Sequence, residues 1–321
     1  MSETPLAKYR QRVIWLMMPG GDLGMVRKAT RYAPDVIIPC LEDGVAYHPD
    51  AKATARRALS TFLREGGHTE LGIATFPRIN HPSSPYWGDD VDALVAAGAD
   101  GIVIPKCETV DEVRVVEDRL SEAEAATGVP AGSVPVVVML ETARGVLRAA
   151  ELALSARRGV ALLFGREDFS ASIGLMRRHS DSLAEGSPEL LYARSQVVLA
   201  AQAAGLGSID GASFTFQDAD YMLRDASLSA RIGYTGKLAA HPGHVRAIRQ
   251  GFAPEPADVA IAERIVELER AALANGEAPV GGVDGMEVTP PIVDQARLLL
   301  ARVNWASRVD DRLAAAAEAS R

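Results

Sequence analysis

Short apolar runs alternate with longer helical stretches along most of this chain, and this alternation limits the fold more than any other feature. The first six runs are mostly continuous rather than alternating, as expected for parallel strands covered on both faces. About eight strand–helix units fit into roughly 250 residues, the size of a (β/α)8 barrel. The predicted strands are Val13–Met18, Val36–Leu41, Gly72–Arg78, Gly101–Pro105, Val134–Leu140, Val160–Phe164, Ser208–Asp210 and Lys237–Ala240.

The last two predicted strands are short, so a doubly wound sheet is the structural alternative. The first strand is not followed by the GxGxxG motif typical of that fold. We therefore predict an α/β chain with a (β/α)8 TIM barrel over residues 1–250. Residues 251–321 contain a strong helical segment, a Gly/Pro-rich stretch read as a long loop (Gly276–Pro291), and a final helix. We predict that they form a C-terminal helical extension, a lid over a barrel mouth of its own or a neighbouring subunit.

The composition narrows the classes of partner. The chain has 42 acidic and 34 basic residues and a net charge of −8, which argues against nucleic acid or an anionic membrane surface as the main partner. The N-terminal segment lacks the apolar core of a secretory signal, and no apolar run approaches the roughly 20 residues of a membrane-spanning helix. Because Cys40 and Cys107 lack metal-ligand spacing, we expect a reduced, cytoplasmic setting.

Two carboxylates follow successive predicted strands. Glu141 comes directly after the fifth strand, and Asp168 comes just after the sixth. In a barrel of this type the active site lies at the carboxyl ends of the strands. Two protein carboxylates suit Mg²⁺, which keeps several waters and takes further ligands from the substrate. The alternative interpretation is two solvated loop acids.

Other polar residues end the neighbouring strands. Glu42 and Asp43 follow the second strand, where they are candidates for holding metal-bound waters or for proton transfer. Arg78 ends the third strand, where a guanidinium can bind a carboxylate or carbonyl oxygen and stabilise negative charge. For Arg78 a surface salt bridge is the equally weighted alternative. For Glu42 and Asp43 the alternative role is capping of the helix that follows.

The turn after the sixth strand is a candidate for binding a small carboxylate through backbone N–H groups. It contains Gly165, Arg166 and Glu167. Lys106 and Lys237 are weaker candidates, because a lone lysine is usually solvated. Schiff-base chemistry would require one of them to be desolvated with a lowered pKa.

Six motifs occur in order along the chain: CLEDGVAYHPDAKATAR, FPRIN, GIVIPKCET, VVVMLETARGV, LLFGREDFSASIG and YTGKLAAHP. This series resembles the HpcH/HpaI aldolase and citrate lyase β-subunit superfamily. It looks closest to the citrate lyase β-like branch that includes the malyl-CoA and citramalyl-CoA lyases. The resemblance spans residues 13 to about 275, most of the chain.

The resemblance implies a (β/α)8 barrel, Mg²⁺ dependence and a homo-oligomer, commonly a trimer or hexamer. It also implies reversible carbon–carbon cleavage or condensation through an enolate, usually of an acyl-CoA or a small hydroxy or keto acid. Carried over by motif, the metal ligands are Glu141 and Asp168, the substrate-binding arginine is Arg78, the acidic pair near metal-bound water is Glu42 and Asp43, and the basic positions near the pantetheine or phosphate end are Lys28 and Lys237.

The chain departs from the family pattern in three places. Cys40 stands where the family usually has Asp, Asp22 follows the opening Pro-Gly-Gly in place of a cation, and Thr289 stands near a tail position that is often Asp. These departures keep three hypotheses open. The first is a Mg²⁺-dependent lyase of a hydroxyacyl thioester. The second is an aldolase of the same fold that acts on a free or carrier-bound acid without CoA, and the third is a partner-dependent, non-catalytic subunit.

Overall fold

A computed structural model describes residues 9, 12–175, 188–213, 215–276 and 281–318 of the chain. Most of the N-terminal segment and part of the predicted Gly/Pro-rich loop lie outside these described residues. The main strands are β1 (Ile14–Pro19), β2 (Val36–Cys40), β3 (Ala74–Thr75), β4 (Ile102–Ile104), β5 (Val136–Leu140), β6 (Gly159–Phe164), β7 (Gly207–Asp210) and β8 (Gly236–Ala239).

Helices follow the strands and pack around them. They are α1 (Leu23–Ala29), α2 (Pro49–Glu65), α3 (Gly67–Glu70), α4 (Trp87–Ala97), α5 (Val110–Thr127), α6 (Ala143–Leu147), α7 (Ala149–Ser155), α8 (Arg166–Ser172), α9 (Pro188–Ala203), α10 (Ala219–Arg231) and α11 (Pro242–Phe252). A short 3-10 turn, Thr30–Tyr32, follows α1. The C-terminal part contains α12 (Pro256–Ala274), β9 (Gly281–Val283), β10 (Met286–Val288) and α13 (Pro290–Glu318).

The eight main strands form one parallel sheet that closes through Arg78. Their order is β3–β2–β1–β8–β7–β6–β5–β4, and Arg78 forms isolated parallel bridges to Cys40, the last residue of β2, and to Val103 in β4. The predicted TIM-barrel-like fold is confirmed. The third strand is much shorter than predicted, since Pro77 has no N–H to donate to a ladder.

Side chains alternate between two cores along each strand. The barrel interior contains Trp15, Ile38, Phe76 and Met139, whereas their sequence neighbours pack outward against the helices. Trp15 and Phe76 meet edge to face with ring centroids 5.4 Å apart, so the interior is filled. This alternation decides which residues reach the mouth of the barrel and which reach the layer between sheet and helices.

Part of α13 packs on the opposite end of the barrel from the predicted site. The Trp305 indole N–H donates to Asp35, which precedes β2, over 2.8 Å. Arg302 donates to the carbonyl oxygen of Tyr234, which precedes β8, over 3.2 Å. These two contacts place Arg302 and Trp305 of α13 at the amino end of the barrel. A lid over a barrel mouth, its own or that of a neighbouring subunit, stays a prediction.

Part of the predicted long loop is a hairpin. Strands β9 and β10 pair antiparallel, and Asp284 and Gly285 between them both have positive φ, 51° and 77°. Two such residues form the turn that matches the twist of a hairpin. Val283 and Val288 pack with α12 and α13 in a small separate core.

None of the described helices contains an apolar stretch sufficient to span a lipid bilayer.

Candidate active site

Strand alternation brings three of the predicted site residues to the barrel mouth. Ile38 and Phe76 face the interior, so Glu42 and Arg78, an even number of residues further on, face inward too. By the same parity Met139 places Glu141 inward. Glu42, Arg78 and Glu141 are buried, whereas the Asp43 side chain is 58% exposed. The structure thus separates the roles of the adjacent acids.

Arg78 lies at the centre of this cluster. Its Nε and Nη2 groups donate to Cys40 Sγ over 3.2 and 3.1 Å, and the backbone N–H of Gly44 donates to the same sulfur over 3.3 Å. Its Nη1 atom is 3.2 Å from Glu42 Oε2 and 3.9 Å from Glu141 Oε2. The thiol therefore anchors one edge of the guanidinium, and the other edge faces the two acids.

Lys106, which the sequence marks only as a weak candidate for the site, contacts all three acids of the cluster, Glu42, Asp43 and Glu141. Its Nζ donates to Glu42 over 2.6 Å and to Asp43 over 2.9 Å, and its backbone N–H donates to Glu141 Oε1 over 3.0 Å. Its φ of 49° is unusual for a residue with a side chain. The sequence signal that points to Lys106 is its position directly after the fourth predicted strand, on the rim where the other candidate residues lie.

The charges around Asp43 make it a weak base. Burial acts to raise the pKa of Asp43, but the hydrogen bond and positive charge of Lys106, together with the charge of Arg78, outweigh this and lower the pKa. A carboxylate held ionised in this way is suited to orienting water or a cation rather than to accepting a proton.

The fully buried Glu141 has the electrostatics of an incomplete cation site. Burial raises its pKa to about 8; Arg78 opposes the rise, and the carboxyl groups of Asp168 and Glu42 add to it. No N–H or O–H group of the described residues donates to Glu141 Oε2. A divalent cation between Glu141 and Asp168 would supply the missing positive charge, so these residues fit Mg²⁺.

The described residues contain no group of three or more His, Cys, Asp or Glu side chains that could hold a metal ion. A cation here would therefore have two protein carboxylates and take its other ligands from water and substrate. Asp168 is exposed in the first turn of α8, and its carboxyl group is close enough to Glu141 to perturb that residue's pKa.

The three residues after β6 that are predicted to contact substrate lie in different environments. The Gly165 N–H donates to the Leu140 carbonyl over 2.9 Å, so this group is used within the fold. Arg166 is only 2% exposed and pairs with Asp210 and Asp225. Glu167 is exposed in the first turn of α8. A substrate contact of Gly165, Arg166 and Glu167 stays a prediction.

Lys237 is fully buried and lies behind the sheet. Leu238 faces the barrel interior, so Lys237 faces the helices, where it donates to Asp210 over 2.9 Å and to the Gly211 carbonyl over 2.8 Å. Burial lowers its pKa, although Asp210 and Asp225 oppose this. The structure therefore gives Lys237 a place in an internal ion-pair network; its predicted role near a pantetheine or phosphate group stays a prediction.

Two cavities open at the carboxyl end of the barrel. One, of about 400 Å³, borders the cluster and is lined by Glu42, Asp43, Tyr47, Asn80, His81 and Ser83. The other, of about 420 Å³, lies between β1, α1 and the end of β8 and is lined by Met17, Pro19, Met25, Lys28, Tyr32 and His241. Asp22 caps α1 by accepting from the Met25 N–H over 2.9 Å, which explains an acid at that position.

The match to a family model adds the deciding observation. Residues 13–242 match the model for HpcH/HpaI aldolase/citrate lyase, a range that contains the whole barrel from β1 to β8. The chain belongs to this family. The family prediction made from the six motifs is confirmed.

Similar proteins of this family cover nearly the whole chain. A citrate lyase subunit beta-like protein from Deinococcus radiodurans is 33% identical, over 89% of this chain and 95% of that protein. The mitochondrial citramalyl-CoA lyase of Mus musculus is 31% identical, over 81% of this chain and 76% of that protein. Among solved structures, CitE from Mycobacterium tuberculosis in complex with magnesium, acetoacetate and coenzyme A is 27% identical with a TM-score of 0.72, covering 92% of this chain and 99% of that one.

Proposed function

We propose that this chain is a Mg²⁺-dependent carbon–carbon lyase. It cleaves or forms a small hydroxyacyl skeleton of the malyl or citramalyl kind, carried as a CoA thioester, through an enolate. The observation that carries the proposal is the buried Glu141 carboxylate with no donor on Oε2, beside Asp168 and facing Arg78. The family of the chain and the lyase among its relatives support the reaction class.

The metal would be held by Glu141 and Asp168. When bound, Mg²⁺ would act as a Lewis acid on the substrate's oxygen atoms. The chain itself supplies a rigid first ligand, because the Lys106 N–H fixes Glu141 Oε1 and the buried position of Glu141 excludes bulk water. The second ligand, Asp168, lies on the exposed side, where substrate and water can enter.

The cleavage step moves one proton and one electron pair. A base takes the proton of the hydroxyl group at C3, a carbonyl forms there, and the C2–C3 bond breaks. Its electron pair moves into the thioester carbonyl and forms the enolate, which is then protonated at C2. Arg78 donates to the oxygen that gains negative charge. Glu42 and Asp43, held by Lys106 over 2.6 and 2.9 Å, orient the water that accepts the hydroxyl proton.

The thioester end is assigned to the cavity between β1, α1 and β8. Its lining is mostly apolar, with methionines and Tyr32, and Lys28 is the exposed cation on its wall. Such a lining suits a pantetheine chain that ends in phosphate. Asp22 at the start of α1 accepts from the Met25 N–H and so caps this helix.

The purified chain, assayed with malyl-CoA and citramalyl-CoA, tests the proposal. We expect Mg²⁺-dependent release of an oxo acid and an acyl-CoA, abolished by EDTA and by Glu141→Gln. Glu151→Gln is the matched control, since Glu151 is an exposed acid on α7 that pairs with Arg148. Release of free CoA without carbon–carbon cleavage would indicate a thioesterase. Turnover of free acids only would support the CoA-independent aldolase, and no turnover until a partner is added would support the accessory subunit.

A further inference from the structure

Five charged side chains form a buried cluster behind the candidate metal site. They are Arg166 on α8, Arg194 on α9, Asp210 at the end of β7, Asp225 on α10 and Lys237 on β8, and each is at most 4% exposed. Strand alternation explains the location. Ile209 and Leu238 face the barrel interior, so the residues beside them face the helices. The cluster therefore lies between sheet and helices rather than in the barrel mouth.

Asp225 holds Arg166 with a two-point contact. Arg166 Nη1 and Nη2 donate to the two oxygens of Asp225 over 3.1 Å each, and Nη2 also donates to Asp210 over 3.2 Å. Ser213 donates to Asp225 Oδ2 over 2.7 Å. A bidentate contact of this kind fixes orientation as well as position, so the Arg166 side chain has little freedom to move.

Arg166 is the first residue of α8, and Asp168 is in the same turn. The residue before the helix is Gly165, which has no side chain to cap it. The start of α8 also lies tightly against the end of β7, because a Cβ added to Gly211 would come within 2.7 Å of Arg166 Cβ. The first turn is thus anchored through its arginine, and that same turn carries the Asp168 carboxylate.

We propose that Asp225, acting through Arg166, is a positioning residue that fixes the first turn of α8 and so holds the Asp168 carboxylate beside Glu141. This inference rests on the proposed function, because it assumes that Asp168 and Glu141 share a cation. It gives the buried cluster a purpose beyond packing. Partners that orient metal ligands typically change metal affinity about 10- to 100-fold when they are mutated.

Arg166→Lys tests this by keeping the charge and removing the two-point contact. The matched control is Arg158→Lys, because Arg158 makes the same kind of buried bidentate contact with Glu124, over 2.7 and 2.9 Å, away from α8. Mn²⁺ binding to the metal-free full chain is measured by the EPR signal of free Mn²⁺, with circular dichroism and thermal unfolding on the same samples. We expect Arg166→Lys to weaken Mn²⁺ binding about 10- to 100-fold and Arg158→Lys to leave it unchanged.

The outcomes separate this inference from the proposed function. If the wild-type chain does not bind Mn²⁺, the metal site itself is wrong and both fail. If the wild type binds Mn²⁺ and a folded Arg166→Lys binds it equally tightly, only the positioning role is overturned. The positioning role is also overturned if Arg166→Lys and Arg158→Lys weaken Mn²⁺ binding to the same extent. Should Arg166→Lys not fold, Asp225→Asn takes its place: it replaces one of the two oxygens that accept from Arg166 with an amide group, and unchanged Mn²⁺ affinity in it would overturn the positioning role.

Discussion

The backbone of Gly165 packs directly against the side chain of Glu141. A Cβ added at position 165 would overlap Glu141 Cβ and lie 2.5 Å from Oε2, with Met139 Cε at 3.0 Å. The backbone of Gly165 has a φ of −90°, which any residue adopts, so conformational freedom does not explain the glycine. The absence of a side chain makes room for the carboxylate that we assign to the metal.

Gly165→Ala is therefore expected to displace the Glu141 carboxylate and weaken metal binding. A shift of about 1 Å in a catalytic group costs on the order of 100-fold in rate, and overpacking of this kind costs roughly 1–3 kcal/mol of unfolding free energy. The measurements are the Mg²⁺ dependence of turnover and urea unfolding. Gly88→Ala is the control, since a Cβ there meets no atom within 4 Å. Normal Mg²⁺ dependence in Gly165→Ala would contradict the assignment.

Cys40→Ala is expected to lower kcat by releasing Arg78. The sulfur accepts two N–H groups of Arg78 and one from Gly44, so its loss leaves buried donors without an acceptor. We expect kcat to fall about 10- to 100-fold. Steady-state kinetics with the thioester substrate gives kcat and KM separately.

Cys107→Ala is the control for this variant. Cys107 is also buried, but its sulfur contacts the carbonyl oxygens of Ile104 and Pro105 instead of Arg78. This variant tests whether loss of a buried thiol lowers kcat even when the thiol does not contact Arg78. Equal kcat losses in the two variants would contradict the anchoring role of Cys40.

Much of the fold and half of the site could be predicted from the sequence. All eight strands lie where the apolar runs place them, because parallel strands covered on both faces require such runs. Glu42, Arg78 and Glu141 converge as expected. The position of Lys237 depends on its parity with Leu238, because a residue next to one that faces the interior faces the helices.

The extension could not be placed from the sequence. Its helices were recognisable, but the hydrogen bond between Trp305 and Asp35 joins residues 270 positions apart, and nothing local specifies such a contact. The hairpin between β9 and β10 was predictable in principle, since Asp284-Gly285 between Val283 and Val288 is a turn signal. The abundance of Gly and Pro around it suggested a loop instead.

Trp305→Phe is expected to destabilise the fold without changing catalysis. Asp35 Oδ2 accepts from Trp305 and from the N–H groups of Val13 and Ile14, so the variant removes one donor to this buried carboxylate. The cost should be about 1–2 kcal/mol in unfolding free energy, measured by urea titration. Because α13 lies at the amino end of the barrel, kcat/KM should stay within about twofold. A large loss of kcat/KM at normal stability would show that α13 is coupled to the mouth.

His244 should make the fold lose stability in mild acid. Burial lowers its pKa from 6.5 to about 4, with Lys237 and His241 adding to the shift and the Thr215 carbonyl and Asp225 opposing it. The neutral ring suits its surroundings, because Nδ1 accepts from the Ala240 N–H over 3.3 Å and Nε2 lies 3.0 Å from the Thr215 oxygen.

The direction of the pH dependence follows from proton uptake by the folded and unfolded states. Between pH 6.5 and 4 the unfolded chain protonates this histidine and the folded chain does not, so stability falls as the pH drops through this window, by up to about 3 kcal/mol. Urea unfolding at pH 7.5 and pH 5 should show this loss in the wild type and a smaller one in His244→Gln. His48→Gln, at an exposed position, should behave like the wild type, and an equal acid-induced loss in His244→Gln would assign the effect to other groups.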